Sequence, residues 1–335
     1  MRHLPIFITV IVLIIFNACQ SDEAIKLGFL YSTSNTERYV KEAGFFKEYV
    51  ENNGAQVLVE HGEGDEAIQY QKAIAMFDEG IDGLALIAVN ANTAAAIVRE
   101  GKERGVKVIA HNRLVTNCDL DFFVSGDNTA IGKMMVDEII KAKPSGTAVI
   151  LGGDKYDRNA VGMGIAINEY LKPHIQSGNI EVLYETYIED WSIDNAAFEL
   201  DQVISNTGEV PDIIFAGYDG MAQGCIQVLE KHGVEKPVYI TGQDATLEGV
   251  RNIVAGKQQM TAYHPSKETA YKSAEVLMML VNNDSGLKSM HSGFVNNGQK
   301  DVPNVRVSSI AITKDNIDKV LIQETASYTR DEVYN

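Results

Sequence analysis

A chain of 335 residues is long enough to fold as two domains, each with its own core. Its 45% hydrophobic and 22% charged residues are ordinary for a globular protein. The formal charge of −17, with no Lys/Arg cluster, excludes phosphate neutralisation and with it a nucleic-acid partner. Three cysteines, Cys19, Cys118 and Cys225, form no CxxC pair, which excludes a disulfide framework or a thiolate metal site.

In chain order, Arg2 and His3 precede the apolar run Leu4 to Phe16, and the small Ala18 stands just before Cys19. That run is shorter than the roughly 20 residues a membrane-spanning helix needs, so residues 1–18 read as a cleaved export signal. The Ala18-Cys19 junction resembles a bacterial lipoprotein signal, with Cys19 as the lipidated new amino terminus; plain secretion with an incidental Cys is the alternative. Residues 19–24 would be a tether.

From Ile25 onward, short apolar runs alternate with periods of three to four. A strand at Lys26 to Tyr31 precedes a helix from Glu37 to Asn53, whose apolar face is Val40, Ala43, Phe46 and Val50. Val57 to Glu60 reads as a strand, Asp65 to Glu79 as a helix, Asp82 to Asn90 as a strand, and Asn92 to Arg104 as a helix stopped by Gly105. Val106 to Ala110 is a strand that ends abruptly in His111-Asn112-Arg113, and Phe122 to Val124 is another. The second half repeats the order: helix Thr129 to Ala142, strand Thr147 to Leu151, helices Asn159 to Leu171 and Ile193 to Asn206, and strand Pro211 to Asp219. Helix Met221 to His232, strand Pro237 to Asp244 and helices Leu247 to Ala255 and Ser266 to Asn282 follow. Residues Phe294 to Ile312 read as extended segments broken at Asn296-Asn-Gly298 and Pro303.

This strand, polar loop, helix order, run through twice, predicts an α/β fold of two doubly wound, Rossmann-like parallel-sheet lobes. In such sheets ligands sit beyond the carboxyl ends of the strands, so the polar ends at His111-Asn112-Arg113 and Gly242-Gln243-Asp244 face a cleft between the lobes. The expected first lobe is 25–127 with 265–295, the second 128–264 with 296–325, and 326–335 a tail. The expected crossings lie near Asp127-Asn128, His264-Pro265 and Phe294 to Asn297. No hydrolase elbow, zinc-protease motif or phosphate loop occurs. Gly162-Met-Gly164 follows a polar loop and lacks the third glycine of a dinucleotide turn, so it reads as packing. No cofactor, metal or catalytic residue is expected, and the chain does not read as an enzyme.

Four blocks carry a family likeness: Gly242-Gln-Asp-Ala-Thr-Leu-Glu-Gly249, Ala255-Gly256 with Met260-Thr261, Asn296-Asn-Gly-Gln-Lys-Asp-Val-Pro303, and Asp119-Leu-Asp-Phe122. With them, from about Lys26 to about Val320, the chain resembles the type I periplasmic sugar-binding proteins of ABC transporters, and within these the D-xylose binders. The resemblance implies two lobes on a three-segment hinge that close over a monosaccharide. It implies a monomer whose partner is an ABC permease or, alternatively, a membrane sensor kinase. It puts the sugar contacts on Arg38, Tyr39, Arg113, Asp157, Asn159, Trp191 and Asp244. Forked guanidinium groups and carboxylates meet vicinal hydroxyls, and aromatic faces cover the C–H surfaces of the ring. Asn112 stands where the family has Asp, Tyr218 where the xylose binders have Asn, and His264 where they have Lys. These three complete the expected site and point to a pentose or similarly small sugar, with xylose itself bound more weakly than by the xylose binders. With an ordinary pKa near ~6.5, His264 is expected to make affinity vary between pH 5 and 8. Each choice has a plainer counterpart. Arg38 and Arg113 also fit surface positions, Trp191 a core position, Asp157 and Asp244 helix caps, and His264 an exposed turn.

Overall fold

A computed structural model of the protein describes residues 24–335. The expected signal segment 1–18 and Cys19 lie outside the described residues. In chain order the elements are β1 (Lys26–Tyr31), α1 (Glu37–Asn52), β2 (Gln56–His61), α2 (Glu66–Asp78), β3 (Gly83–Leu86), α3 (Ala95–Glu103), β4 (Lys107–His111) and β5 (Phe122–Gly126). The chain continues with α4 (Asn128–Ala142), β6 (Gly146–Gly152), α5 (Arg158–Gln176), β7 (Ile180–Tyr187), α6 (Ile193–Thr207), β8 (Ile213–Ala216), α7 (Asp219–Lys231), β9 (Tyr239–Ile240) and α8 (Leu247–Val254). It closes with β10 (Thr261–Tyr263), α9 (Ser266–Val281), β11 (Gly293–Asn296), β12 (Asp301–Val307), β13 (Ile310–Ile312) and α10 (Arg330–Tyr334).

The first lobe is a seven-stranded sheet in the order β11-β12-β5-β4-β3-β1-β2, parallel except for β11. Strands β1, β3 and β4 are apolar on both faces because helices cover both. Leu30, Leu84 and Val108 pack against α2 and α3, while Phe29, Ile87 and Ile109 pack against Phe46 of α1 and Leu277 of α9. Each such side chain contributes roughly 1.5–3 kcal/mol of burial free energy.

The second lobe repeats the pattern with the parallel order β7-β6-β8-β9. A bridge from Gln243 to Ala262 then joins the end of β9 to the antiparallel pair β10-β13. Strand for strand, β7-β6-β8-β9-β10-β13 mirrors β2-β1-β3-β4-β5-β12.

Several sequence expectations need correction. Residues 296–307 do not join the second lobe: β12 hydrogen-bonds to β5 in the first sheet, with Asn304 opposite Phe123 and Val307 opposite Gly126. The third crossing therefore lies between Val307 and Ile310, beyond the expected Phe294 to Asn297. Pro303 does not break β12, because its missing N–H falls before the pairing with β5 begins at Asn304. Strand β7 escaped notice because it is a half-exposed edge strand, and β10 because it is three residues long. Helix α5 runs on through Pro173 to Gln176. Val40 is exposed, and the buried stripe of α1 runs through Tyr39, Glu42, Ala43, Phe46 and Val50 instead. The expected tail 326–335 is packed: Thr329 and Glu332 form a capping box for α10, and Val333 is buried with Val250, Ile253 and Leu321. Cys118 and Cys225 are buried in the cores, and burial pushes their thiols up to about 11 and about 12.

Candidate functional site

The carboxyl ends of both sheets open onto one cleft, lined by all ten residues singled out above, from Arg38 to His264. On the first-lobe side, β4 ends at His111, and Asn112 turns the chain with a left-handed φ of 62°, a conformation Asn tolerates better than most residues. The Asn112 amide donates to Val124 O at 2.7 Å, which fixes the turn to β5. Arg113 then projects along the cleft, donating from Nη1 to the carbonyls of Ala88 and Val89 at 3.3 Å each. Its guanidinium lies over the Tyr39 ring, 5.9 Å from the centroid.

Arg38, in the first turn of α1, is held from behind. Its Nε donates to Glu42 Oε1 at 2.8 Å, and Glu42 Oε2 meets His111 Nε2 at 2.9 Å, while His111 Nδ1 reaches Ser273 Oγ at 2.6 Å. Burial alone would raise the Glu42 carboxyl, but the charges of Arg38 and His111 and their hydrogen bonds take it down to about 2. Glu42, His111 and Ser273 thus form a buried polar layer beneath the cleft floor. Glu42 was missed because one Glu on an amphipathic helix gives no sign of facing inward.

The second lobe answers with carboxylates. Asp157 Oδ1 caps α5 by accepting from Asn159 N at 2.9 Å, and Asp157 Oδ2 lies 3.2 Å from Arg113 Nε. Asp157 is thus a helix cap, as its plainer reading has it, and also faces Arg113 across the cleft. The N–H of Arg113 Nε points off that line and has no hydrogen-bond partner. Asn159 Nδ2 crosses the cleft to Asn112 O at 2.8 Å, and its Oδ1 accepts from Asn128 Nδ2 at 2.8 Å.

Asp244 follows β9 with φ 84°, and its Oδ1 lies 3.5 Å from both Arg38 Nη1 and His264 Nε2. It caps nothing; Thr246 caps α8. Burial raises the Asp244 carboxyl, against the opposing pull of Arg38.

Trp191 sits on a left-handed turn, φ 54° at Asp190 and 53° at Trp191, braced by Asp154 Oδ2, which accepts from Asp190 N at 2.7 Å. Its indole lies on Gly153 and Gly217; a Cβ on Gly153 would come within 2.2 Å of the ring. Tyr218 meets the indole edge-on at 6.1 Å and 83°. Trp191 Nε1 is buried without a partner. The indole therefore forms a cleft wall, partly packed on both cores of the second lobe.

His264 is only 6% exposed and sits where the three crossings meet. Its Nδ1 lies 3.2 Å from Ser309 Oγ, and a Cβ on Gly126 would be 3.4 Å from the same nitrogen. Burial, with the charge of Arg38, drives the His264 imidazole well below its ordinary 6.5. The ring is buried, so the solvent-facing turn does not hold, and desolvation, which disfavours the imidazolium, moves its titration below the ordinary range, against the expected change of affinity between pH 5 and 8.

Sequence reasoning also missed Asp219, buried at the start of α7. It accepts from Gln258 Nε2 and from Thr246 N at 2.8 Å each, and burial pushes its carboxyl up to about 7 against these donors. Gly242 and Gly249 pack so closely on it that a Cβ at either would clash, the one signal in the sequence that a side chain fills this corner.

A family model described as "Periplasmic binding protein domain" matches residues 27–285. The D-xylose-binding periplasmic protein of Haemophilus influenzae is 32% identical over 96% of this chain and 96% of its own length, and that of Escherichia coli is 31% identical over 93% and 94%. A solved carbohydrate-transporter solute-binding protein from Chloroflexus aurantiacus, in complex with D-glucose, superposes with a TM-score of 0.83 at 22% identity, covering 92% of this chain and 98% of that one. The fold of two parallel-sheet lobes and the match over most of the chain agree, and the chain belongs to the periplasmic binding protein family, a family of binding proteins rather than enzymes, in its type I form.

Proposed function

We propose that the protein is an extracytoplasmic solute-binding lipoprotein that captures a monosaccharide, a pentose, between its closing lobes and delivers it to an ABC importer. The observation that carries this reading is the set of polar groups facing the cleft. Forked cations from one lobe, carboxylates from the other and an indole wall surround it, and buried donors at Arg113 Nε and Trp191 Nε1 stand without partners. A buried donor without an acceptor is costly unless a ligand supplies one, and a sugar hydroxyl both donates and accepts. Hydrogen bonds to charged groups contribute roughly 1.5–3 kcal/mol each, so a handful reach the about −8 kcal/mol of micromolar binding. The curated relatives named for D-xylose support the sugar class.

The choice of a pentose other than xylose rests on Asn112, Tyr218 and His264. Asn112 takes away a negative charge and His264, whose charged form burial disfavours, takes away a positive one, so the pocket's charge stays balanced, as a buried site requires. Tyr218 fills space against Trp191. A thermal-shift screen against common pentoses and hexoses tests the reading; stabilisation by a pentose is expected, and no shift with any monosaccharide would overturn it.

Lipidation at Cys19 is the proposed anchor, since two or more acyl chains hold a protein on a membrane where one does not. No helix among the described residues is long and apolar enough to cross a membrane. Cys19→Ala should release the protein from the membrane fraction; identical soluble fractionation of both forms would argue against lipidation.

A further inference from the structure

The loop that delivers Asp244 does not hold its shape unaided. Asp244 has φ 84° and Ala245 φ 45°, a region sparsely populated by residues that carry a Cβ. Three amides of the loop are pinned from within the body of the second lobe. Asp244 N donates to Ala262 O at 2.9 Å, Ala245 N to Thr261 Oγ1 at 3.1 Å, and Thr246 N to Asp219 Oδ2 at 2.8 Å. The carbonyl of Ala245 faces the other way and accepts from Tyr328 Oη at 2.9 Å.

Tyr328 arrives from the carboxyl-terminal segment. That segment is itself docked: Ser327 N donates to Leu321 O at 2.8 Å, Ser327 Oγ to Tyr263 Oη at 3.3 Å, and the capped α10 follows at once. From the first lobe, Lys41 of α1 places its Nζ 5.3 Å from the centroid of the Tyr328 ring. Lys41 lies one helical turn from Arg38, the residue that meets Asp244 across the cleft. Tyr328 therefore touches the ligand loop with its hydroxyl and the opposing lobe with its face.

We infer that Tyr328 is a positioning residue for ligand capture: by holding the Ala245 carbonyl it sets the Asp244 carboxylate within reach of Arg38 and the ligand, and its ring gives α1 of the first lobe a surface to close upon. The inference rests on the sugar-binding reading of the cleft and adds to it a site element outside the strand-end loops. Such a residue acts through the group it holds, so its effect should depend on Asp244 being present.

The test combines a double-mutant cycle with hydrogen exchange on the full chain. Tyr328→Phe keeps the ring and removes only the hydroxyl. In the unliganded protein it should speed amide exchange across residues 243–249 several-fold while β6 and β8 exchange as before. Calorimetry with the best sugar from the panel should show affinity about fivefold weaker, as for one lost hydrogen bond, and the change should vanish in an Asp244→Asn background. Unchanged exchange in the loop, or the same fold-loss with and without Asp244, would overturn the positioning role. Faster loop exchange in a protein that binds no sugar would leave Tyr328 as the support of this loop and remove the sugar reading instead.

Discussion

The two lobes repeat one topology, yet their strand ends carry opposite chemistry. The first lobe presents Arg38 and Arg113, both backed by polar groups of that lobe; the second presents Asp157, Asp244 and the aromatic pair Trp191 and Tyr218. Two cross-lobe ion pairs result, Arg38 with Asp244 at 3.5 Å and Arg113 with Asp157 at 3.2 Å. A shared fold thus leaves the site undetermined, and loop residues decide it. With the charges divided between lobes, a ligand that bridges cations and carboxylates would favour the closed state, which is the differential binding that the proposed capture requires. The supports differ as well. Arg38 is braced by the side chain of Glu42, itself held by His111, and Arg113 by the carbonyls of Ala88 and Val89, whereas the Asp244 carboxylate and the indole of the second lobe ride on left-handed turns at Asp190, Trp191, Asp244 and Ala245.

The largest break comes from the cation side. Arg113→Ala should cost at least about 2 kcal/mol of sugar affinity, because it leaves Asp157 and ligand hydroxyls without a forked donor. The ligand-induced rise in melting temperature should vanish while the unliganded protein still melts cooperatively. Retained affinity would remove Arg113 from the site.

The carboxylate side allows a finer cut, because Asp157 both caps α5 and faces Arg113. Asn caps as well as Asp, so Asp157→Asn should weaken sugar binding with little change in stability. Asp157→Ala should lose binding and about 1 kcal/mol of stability besides. Equal stability of the two variants would show that the cap contributes nothing.

Acid separates the two kinds of support. Glu42 is taken down to about 2 in the folded protein from an ordinary 4.5, so its contribution is present above 4.5 and is lost as pH falls toward 2. His264 is depressed below 6.5, so the unfolded chain takes up its proton first, and stability falls as pH drops below 6.5. Asp219, pushed up to about 7, takes up its proton first in the folded state and offsets this loss between pH 7 and 3.8, so chemical denaturation from pH 7.5 to 3 should show its clear loss below 4.5. In Glu42→Gln that loss should be reduced; an unchanged slope would contradict the role given to Glu42. The smallest effect concerns affinity itself: with the His264 titration displaced downward by burial, His264→Gln should change the affinity profile between pH 5 and 8 little, and a profile flattened by the substitution would contradict that displacement.

Much of this was readable beforehand where a residue type and its place in the repeat coincide. Arg113 and Asp244 stand at matching strand ends, and an apolar run that stops at polar groups marks a cleft in any open α/β sheet. The supports were not readable. Glu42 and Asp219 are buried carboxylates held by residues far off in sequence, Glu42 by His111 besides its neighbour Arg38, and Asp219 by Gln258 and Thr246. A one-dimensional pattern shows neither burial nor pairing. The third crossing was misplaced because Asn296-Asn-Gly298 has turn chemistry, and it does turn the chain, but into a hairpin within the first sheet. Tyr328 was lost because ten residues at a chain end carry too little periodicity to reveal a docked helix.

Capture of a small sugar between unlike lobes is put at stake by one calorimetric titration of the intact protein against the pentoses, common hexoses and a disaccharide. Micromolar binding of a pentose other than xylose is expected, with xylose and the hexoses weaker and the disaccharide excluded by Tyr218 and Trp191. Tight binding of the disaccharide, or xylose preferred over every other pentose, would contradict the pocket described for Asn112, Tyr218 and His264, and the absence of any sugar binding would contradict the receptor itself.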